Sequence, residues 1–312
     1  MLTILSAILP VFALIGAGAL FGSLRRIGEE GVAALNGFTI WLALPALLFR
    51  SLARGDWELL DQPAFALAFG IAAGATFALA LLTAPRKALA DRVPPALAAS
   101  YSNTAFVGLP LMAGLLGPSG AAAAVIASIL TVSLLFGIAV LLIEIALARA
   151  AGRGMRILPV LGALSRNPLV LSPIAGALWS LAGWPIPTAA ARFLDLLAAA
   201  ASPCALVTIG AFLVLHRRSD SPAGTARIVA LKLAFQPMLT WLLVLALPLI
   251  GLPLSRDLRA AALLLAALPT GTGPFMLAEL YGREATLASR TILLSTIIGT
   301  ASIWLMATAV LR

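Results

Sequence analysis

The sequence predicts an all-α integral membrane protein: ten transmembrane helices that form two inverted five-helix repeats, with helices 4 and 9 broken. Three observations predict it. The chain of 312 residues is 62% hydrophobic and 11% charged, with a mean hydropathy of +1.07, whereas soluble domains average about 45–50% apolar and about 25% charged. The apolar residues gather into ten runs near the length of about 20 residues that crosses a bilayer as a helix. Prolines recur at a fixed offset between the two halves of the chain.

In order, the spans run about 3–24, 31–53, 63–84, 95–116, 120–148, 167–183, 188–215, 226–250, 257–281 and 286–311. The first has no basic flank, and Ala17-Gly18-Ala19 lies inside a longer apolar run, so a cleaved signal peptide is not expected. The longest polar gap, 149–166, leaves no room for a soluble domain. The chain is therefore one membrane domain, with 1–148 and 167–312 as its two repeats.

An even number of spans puts both termini on one side. Arg25, Arg26, Arg86, Lys87, Arg92, Arg149, Arg153, Arg156, Arg166, Arg217, Arg218, Arg227, Arg283 and Arg290 fall on one face. Arg50, Arg54, Arg192, Arg256, Arg259 and Arg312 fall on the other, and Lys232 lies within span 8. Basic residues stay preferentially on the cytoplasmic side, which makes 149–166 a cytoplasmic loop and both termini external. The net charge of +9 is thus a topology signal, and no nucleic-acid partner is expected.

The repeat shows in the prolines. Pro10 and Pro45 map onto Pro168 and Pro203 at an offset of 158, and Pro110 maps onto Pro269 within one residue. Five spans per copy make the second copy enter the membrane from the opposite side. Span 4 contains Ser-Tyr-Ser-Asn-Thr-Ala-Phe-Val-Gly-Leu-Pro-Leu at 100–111, and span 9 contains Ala-Leu-Pro-Thr-Gly-Thr-Gly-Pro-Phe at 267–275. Proline removes a backbone donor and glycine frees the backbone, so both spans are expected to break. Non-helical backbone at membrane depth is tolerated where it lines a cavity, and two breaks at matched positions point to a midplane binding site. Half-helix N-termini there suit an anion. The candidate substrate-binding residues are Asn103, Thr104, Gly108, Pro110, Pro269, Thr270, Gly271, Thr272 and Gly273. Asn103 leads, because its amide both donates and accepts; the alternative is that it caps a backbone group freed at the break.

Enzymatic chemistry is not expected. Gly117-Pro118-Ser119-Gly120 has the Gly-x-Ser-Gly pattern of an intramembrane serine protease, which needs a histidine beside the serine. The single histidine, His216, is expected at the opposite membrane face, so the tetrapeptide reads as a helix–helix turn. The lone Cys204 has no internal disulfide partner, no Cys/His cluster offers a zinc site, and no cofactor is expected.

Over essentially its whole length the chain resembles bacterial members of the auxin efflux carrier family, relatives of plant PIN-type auxin transporters and of malate and malonate permeases. The resemblance rests on Leu-Pro at 44–45, Asn-Thr with Gly-Leu-Pro-Leu at 103–111 and Arg-Asn-Pro at 166–168. It extends to Ala-Leu-Pro with Gly-Pro-Phe at 267–275 and Ala-Glu-Leu-Tyr at 278–281. It implies a fold similar to bile-acid symporters and sodium/proton antiporters, with spans 4 and 9 crossing at their breaks. Spans 3–5 and 8–10 would form a transport domain that moves like an elevator, and spans 1, 2, 6 and 7 a scaffold that dimerises chiefly through spans 2 and 7. An organic carboxylate would dock near Asn103, with Pro110 and Pro269 as the crossover prolines.

Ionisable groups at membrane depth are the candidates for ion coupling: Glu144, Asp195, Lys232 and Glu279. Glu144, Glu279 and Lys232 lie within snorkelling reach of a membrane surface. Asp195 follows Arg192 by three residues, a spacing suited to a local ion pair. The crossover spans carry no Asp-Asp pair. The expectation is a secondary transporter for a small organic carboxylate, auxin-like or a dicarboxylate, in a bacterial inner membrane. A cation/proton antiporter of similar fold is the alternative within transport, and a non-transporting receptor the alternative outside it.

Overall fold

In lipid a segment must satisfy its own backbone hydrogen bonds, and long apolar runs do so as helices. The computed structural model describes residues 2–53, 61–150, 168–215 and 222–310, and the regular elements within them are all helical. These are α1 (Leu2–Ser23), α2 (Glu29–Ala53), α3 (Pro63–Leu82), α4 (Leu89–Ala98), α5 (104–116), α6 (118–150), α7 (Pro168–Leu181) and α8 (Thr188–Leu215), followed by α9 (Pro222–Ile250), α10 (Arg256–Ala266), α11 (Gly273–Leu280) and α12 (Thr286–Val310). Span 4 is thus α4 plus α5, and span 9 is α10 plus α11. Among the described residues, six helical stretches are long and apolar enough to cross a membrane. Arg54, Arg153, Arg156, the Arg166-Asn167 of the Arg-Asn-Pro motif, His216, Arg217, Arg218 and Arg312 lie outside the described residues.

The longest of the six, Thr104–Ala150, is folded back on itself at Gly117, which adopts φ 60° and ψ −143°. A Cβ on Gly120 would strike the carbonyl of Met112. Eight residues of straight helix would hold those groups about 12 Å apart. The chain therefore reverses at Gly117, a conformation that favours glycine, and Pro118 opens the next helix where its missing N–H is harmless. The tetrapeptide at 117–120 is the helix–helix turn that the sequence suggests.

Proline is accommodated without breaking these helices. The π-helical turns Thr39–Ala43, Thr104–Gly108 and Leu231–Phe235 each end two residues before a proline, namely Pro45, Pro110 and Pro237. Widening the turn ahead of a proline moves the carbonyl that its ring would otherwise hit.

Helices α1 and α8 pack backbone to backbone: a Cβ on Gly18 would strike Val207, and one on Gly210 would strike Ile15. Such close approach through small residues is how membrane helices associate without a hydrophobic driving force. Helix α2 packs on α7 and α8, with Gly176 of α7 against the Phe49 backbone. There Arg50, 5% exposed, donates from Nε to Asp195 Oδ1 at 2.8 Å. Asp195, which the sequence spacing sets near Arg192, thereby also ties two elements together, because α2 delivers a buried guanidinium to its carboxylate.

The other helices form two apolar cores on either side of the breaks. One gathers α4 and α11 with the facing parts of α3, α6 and α8 around Phe136, Leu97 and Phe275. The second gathers α5 and α10 around Phe65, Phe69, Leu111 and Leu264. At the α4 and α11 end, polar side chains bind these helices together. Asp91 pairs with Arg283 at 3.2 Å, Tyr281 Oη donates to Glu144 at 2.7 Å, and Arg227 donates to Thr83 Oγ1 at 2.7 Å.

Candidate functional site

Residues 99–103 and 267–272 interrupt the two spans, and the structure joins the interruptions. Ser102 and Thr270 form an antiparallel bridge. The Asn103 N–H donates to the Pro269 carbonyl at 2.9 Å, and the Gly271 N–H donates to the Tyr101 carbonyl at 2.9 Å. Backbone groups freed by unwinding thereby satisfy one another inside the protein, as membrane depth requires. Thr270 completes the junction: its N–H donates to Ser295 Oγ at 3.0 Å and its hydroxyl to the Ala98 carbonyl at 2.8 Å, capping the C-terminus of α4.

The bridge brings the N-termini of α5 and α11 to one pocket. It is lined by Tyr101, Ser102, Asn103, Thr104, Ala105 and Phe106 on one side and by Gly271, Thr272, Gly273 and Met276 on the other. Leu44 and Leu47 of α2 and Val132 of α6 close it, leaving a cavity of about 10 Å³, the size of one water. Asn103 and Thr272 hold the N-cap positions of α5 and α11, and neither makes a side-chain capping bond. Capping is thus not the role of the Asn103 side chain in this structure. The hydroxyls of Ser102 and Thr104 are fully buried and lack a hydrogen-bond partner. First-turn amides have no carbonyl within their own helix, so both helix ends add donors and positive partial charge. The site thus has a mainly apolar lining, with the two unpartnered hydroxyls buried at its edge.

Of the sequence-derived candidates, Asn103, Thr104, Gly271, Thr272 and Gly273 line this pocket. Pro269 and Thr270 build the bridge beneath it. Gly108 sits to one side, where a Cβ would meet Leu265 and Leu268 of the crossing strand of chain at 2.8 and 2.9 Å. Pro110 is a correction. It is exposed on α5, beyond a π turn and away from the pocket, because span 4 unwinds at 99–103 and the widened turn lets the helix continue through the proline. Tyr101 is the residue that sequence reasoning missed. Its ring lies where a Cβ on Gly271 or Gly273 would have to sit, at 3.0 and 2.5 Å, which is why those positions are glycine. Phe275 points elsewhere, edge-on to Phe212 of α8 at 5.1 Å.

The family model for membrane transport proteins, Mem_trans, matches residues 3–152 and 155–307 of this chain. The chain belongs to that family, the auxin efflux carriers. A protein of Rhizobium meliloti (strain 1021) named "Putative malonate transporter" is 32% identical over 315 residues, covering 97% of this chain and 94% of its own. An "Uncharacterized transporter" of Methanothermobacter thermautotrophicus is 28% identical over 303 residues, covering 95% of each chain. The protein is therefore a multi-pass membrane transporter and not an enzyme.

The four ionisable candidates do not converge on the pocket. Glu144 accepts from Tyr281 where α6 meets the end of α11, and Glu279 is half-buried on α11 one turn beyond the pocket residue Met276. Asp195 sits with Arg50 on the α2–α8 seam. Lys232 departs from expectation. It does not snorkel: it is fully buried in the π turn of α9, and its ammonium donates to the Ala266 carbonyl at 2.7 Å. A helix C-terminus leaves its last carbonyls without amide partners and carries negative partial charge, so α10 draws the cation inward.

Proposed function

We propose that this family member is a secondary transporter for a small organic carboxylate, bound at the crossover of spans 4 and 9. The observation that carries the reading is the pocket itself, where two half-helix N-termini, the Asn103 amide and two unpartnered hydroxyls converge between apolar walls. Free amides and positive helix ends select an anion, and the lining holds no carboxylate that would bind a cation. That last feature disfavours the cation/proton antiporter.

In this reading the ten spans form two inverted five-helix repeats. Helices α3–α6 with α9–α12 make the moving body, and α1, α2, α7 and α8 make the scaffold. The cross-helix polar ties within the first group and the glycine-mediated seam within the second support that division. Leu44 and Leu47 of the scaffold helix α2 shut the pocket on one side, and sliding the body past them would open it. The carrier would work as a homodimer through α2 and α8 in a bacterial inner membrane, with both termini periplasmic. Malonate is the first substrate to test, given the name of the R. meliloti relative; an auxin-like acid is the second.

The test is uptake by proteoliposomes of malonate, malate and indole-3-acetate, under an imposed membrane potential and separately under proton or sodium gradients. Saturable flux that follows the potential alone supports an anion uniporter. Flux that needs an ion gradient returns attention to Glu144, Asp195, Lys232 and Glu279. No flux of any acid by folded, inserted protein removes the substrate class.

A further inference from the structure

We propose that the basic end of the seam between α3 and α9 is a binding site for the phosphate of an anionic membrane phospholipid, with Arg86, Lys87 and Arg227 as its cationic ligands. Three segments build it: the last turn of α3, the loop 83–88 and the first turns of α9. Arg227 Nη1 donates to Thr83 Oγ1 at 2.7 Å, which fixes a guanidinium of α9 beside the end of α3. Arg92 of α4 donates to the Leu81 carbonyl in the same turn of α3. Arg86 and Lys87 follow Thr83 by three and four residues and are exposed. At no more than about 3.5 Å per residue, their backbones lie within roughly 10–15 Å of Thr83.

Positive charge gathers there without an answering negative one. The partners of Arg92 and Arg227 are neutral oxygens, and among the described residues no carboxylate pairs with Arg86, Lys87, Arg92 or Arg227. Asp91, four residues after Lys87, is held by Arg283 at 3.2 Å. The bias of basic residues toward one membrane face accounts for cations in a loop, but not for a guanidinium from another helix being held against that loop. A phosphate relieves the mutual repulsion, and guanidinium is the group that binds phosphate oxygens in a bidentate fork.

The surroundings make the phosphate that of a lipid. Leu67, Ile71 and Leu82 are exposed on one face of α3, and Leu82, 78% exposed, directly precedes Thr83. The cations therefore sit where a lipid-facing stripe ends. On α9 the exposed positions next to Arg227 are Ala226, Ala230 and Ala234, whereas Met238, Trp241 and Leu242 follow further along. The small side chains leave room for an acyl chain along about 12 Å of helix below the headgroup. A zwitterionic lipid brings an ammonium of its own, which these cations repel, so an anionic lipid is selected. Each Lys or Arg beside an anionic headgroup is worth about fivefold in affinity.

The experiment follows the melting temperature of the full chain in a neutral detergent as dioleoyl phosphatidylglycerol, dioleoyl phosphatidylcholine or inorganic phosphate is added. Phosphatidylglycerol is expected to raise it saturably, and the other two to leave it unchanged. Arg86→Gln with Lys87→Gln should move the phosphatidylglycerol midpoint about 25-fold to higher lipid, from two factors of about five. Arg256→Gln with Arg259→Gln removes the same charge from exposed positions at the start of α10 and should keep the wild-type midpoint. Equal shifts in the two double variants, or equal stabilisation by phosphatidylcholine, would reduce the effect to diffuse charge or bulk lipid and overturn the site. Stabilisation by inorganic phosphate alone overturns the lipid and leaves a soluble anion. Should Arg86→Gln with Lys87→Gln fail to fold, Arg227→Gln decides: a fivefold shift is expected, and an unmoved midpoint overturns the proposal.

Discussion

Asn103 holds the N-cap position of α5 and makes no capping bond with its side chain, which leaves its amide for the pocket. Asn103→Ala is therefore expected to abolish carboxylate flux at a stability loss below the ~1 kcal/mol of a lost N-cap. Flux assays paired with thermal melting check it, and normal flux would remove Asn103 from the site. Gly273 gives a steric counterpart. Gly273→Ala forces a methyl into the Tyr101 ring, an overpacking penalty of about 1–3 kcal/mol at the bridge. Flux should fall in Gly273→Ala and recover in part when Tyr101→Leu removes the ring; equal loss in single and double variants would show that the contact is not the cause.

Two elements are held by features that a proline or charge count alone misreads. Helix α5 passes through Pro110 because a π turn precedes it, and Pro110 is exposed. Pro110→Ala should leave KM for the transported acid within about twofold of wild type, which is under ~0.5 kcal/mol; a larger change would return the proline to the site. Helices α2 and α8 are tied by Arg50 and Asp195. Asp195→Asn leaves a buried guanidinium without its carboxylate, and removing a charge-assisted hydrogen bond costs about 1.5–3 kcal/mol. A melting temperature several degrees lower in detergent is expected, and an unchanged one would assign the pair no structural weight.

For the whole molecule, the proposed division into a scaffold and a moving body draws its support from different kinds of contact. The scaffold seam is backbone against backbone at Gly18 and Gly210, so Gly210→Leu should prevent α1 from seating on α8 and collapse expression. Gly74, whose Cβ would meet nothing within 4 Å, is the matched control, and Gly74→Ala should express normally. Protease protection and size-exclusion profiles distinguish the two, and equal behaviour would argue against the close seam. Among α4, α6 and α11 the ties are polar and sit at the helix ends, away from the apolar cores that hold the two halves of each broken span.

The sequence by itself determined that the chain is a helical membrane protein, roughly where its apolar helices lie, and that spans 4 and 9 break around Asn103 and 267–272. Those properties are local: apolar run length, proline and glycine act over a few residues. It also carried the family resemblance, because motif order along the chain is a property of sequence. What only the tertiary structure decided concerns groups far apart in the chain. The bridge between Ser102 and Thr270, the Tyr101 ring over Gly273, the Arg50 partner of Asp195 and the inward turn of Lys232 to Ala266 each join residues from different helices. A one-dimensional reading sees that a lysine can snorkel, but a free helix C-terminus at the same depth binds its ammonium more strongly, and packing alone puts that terminus there.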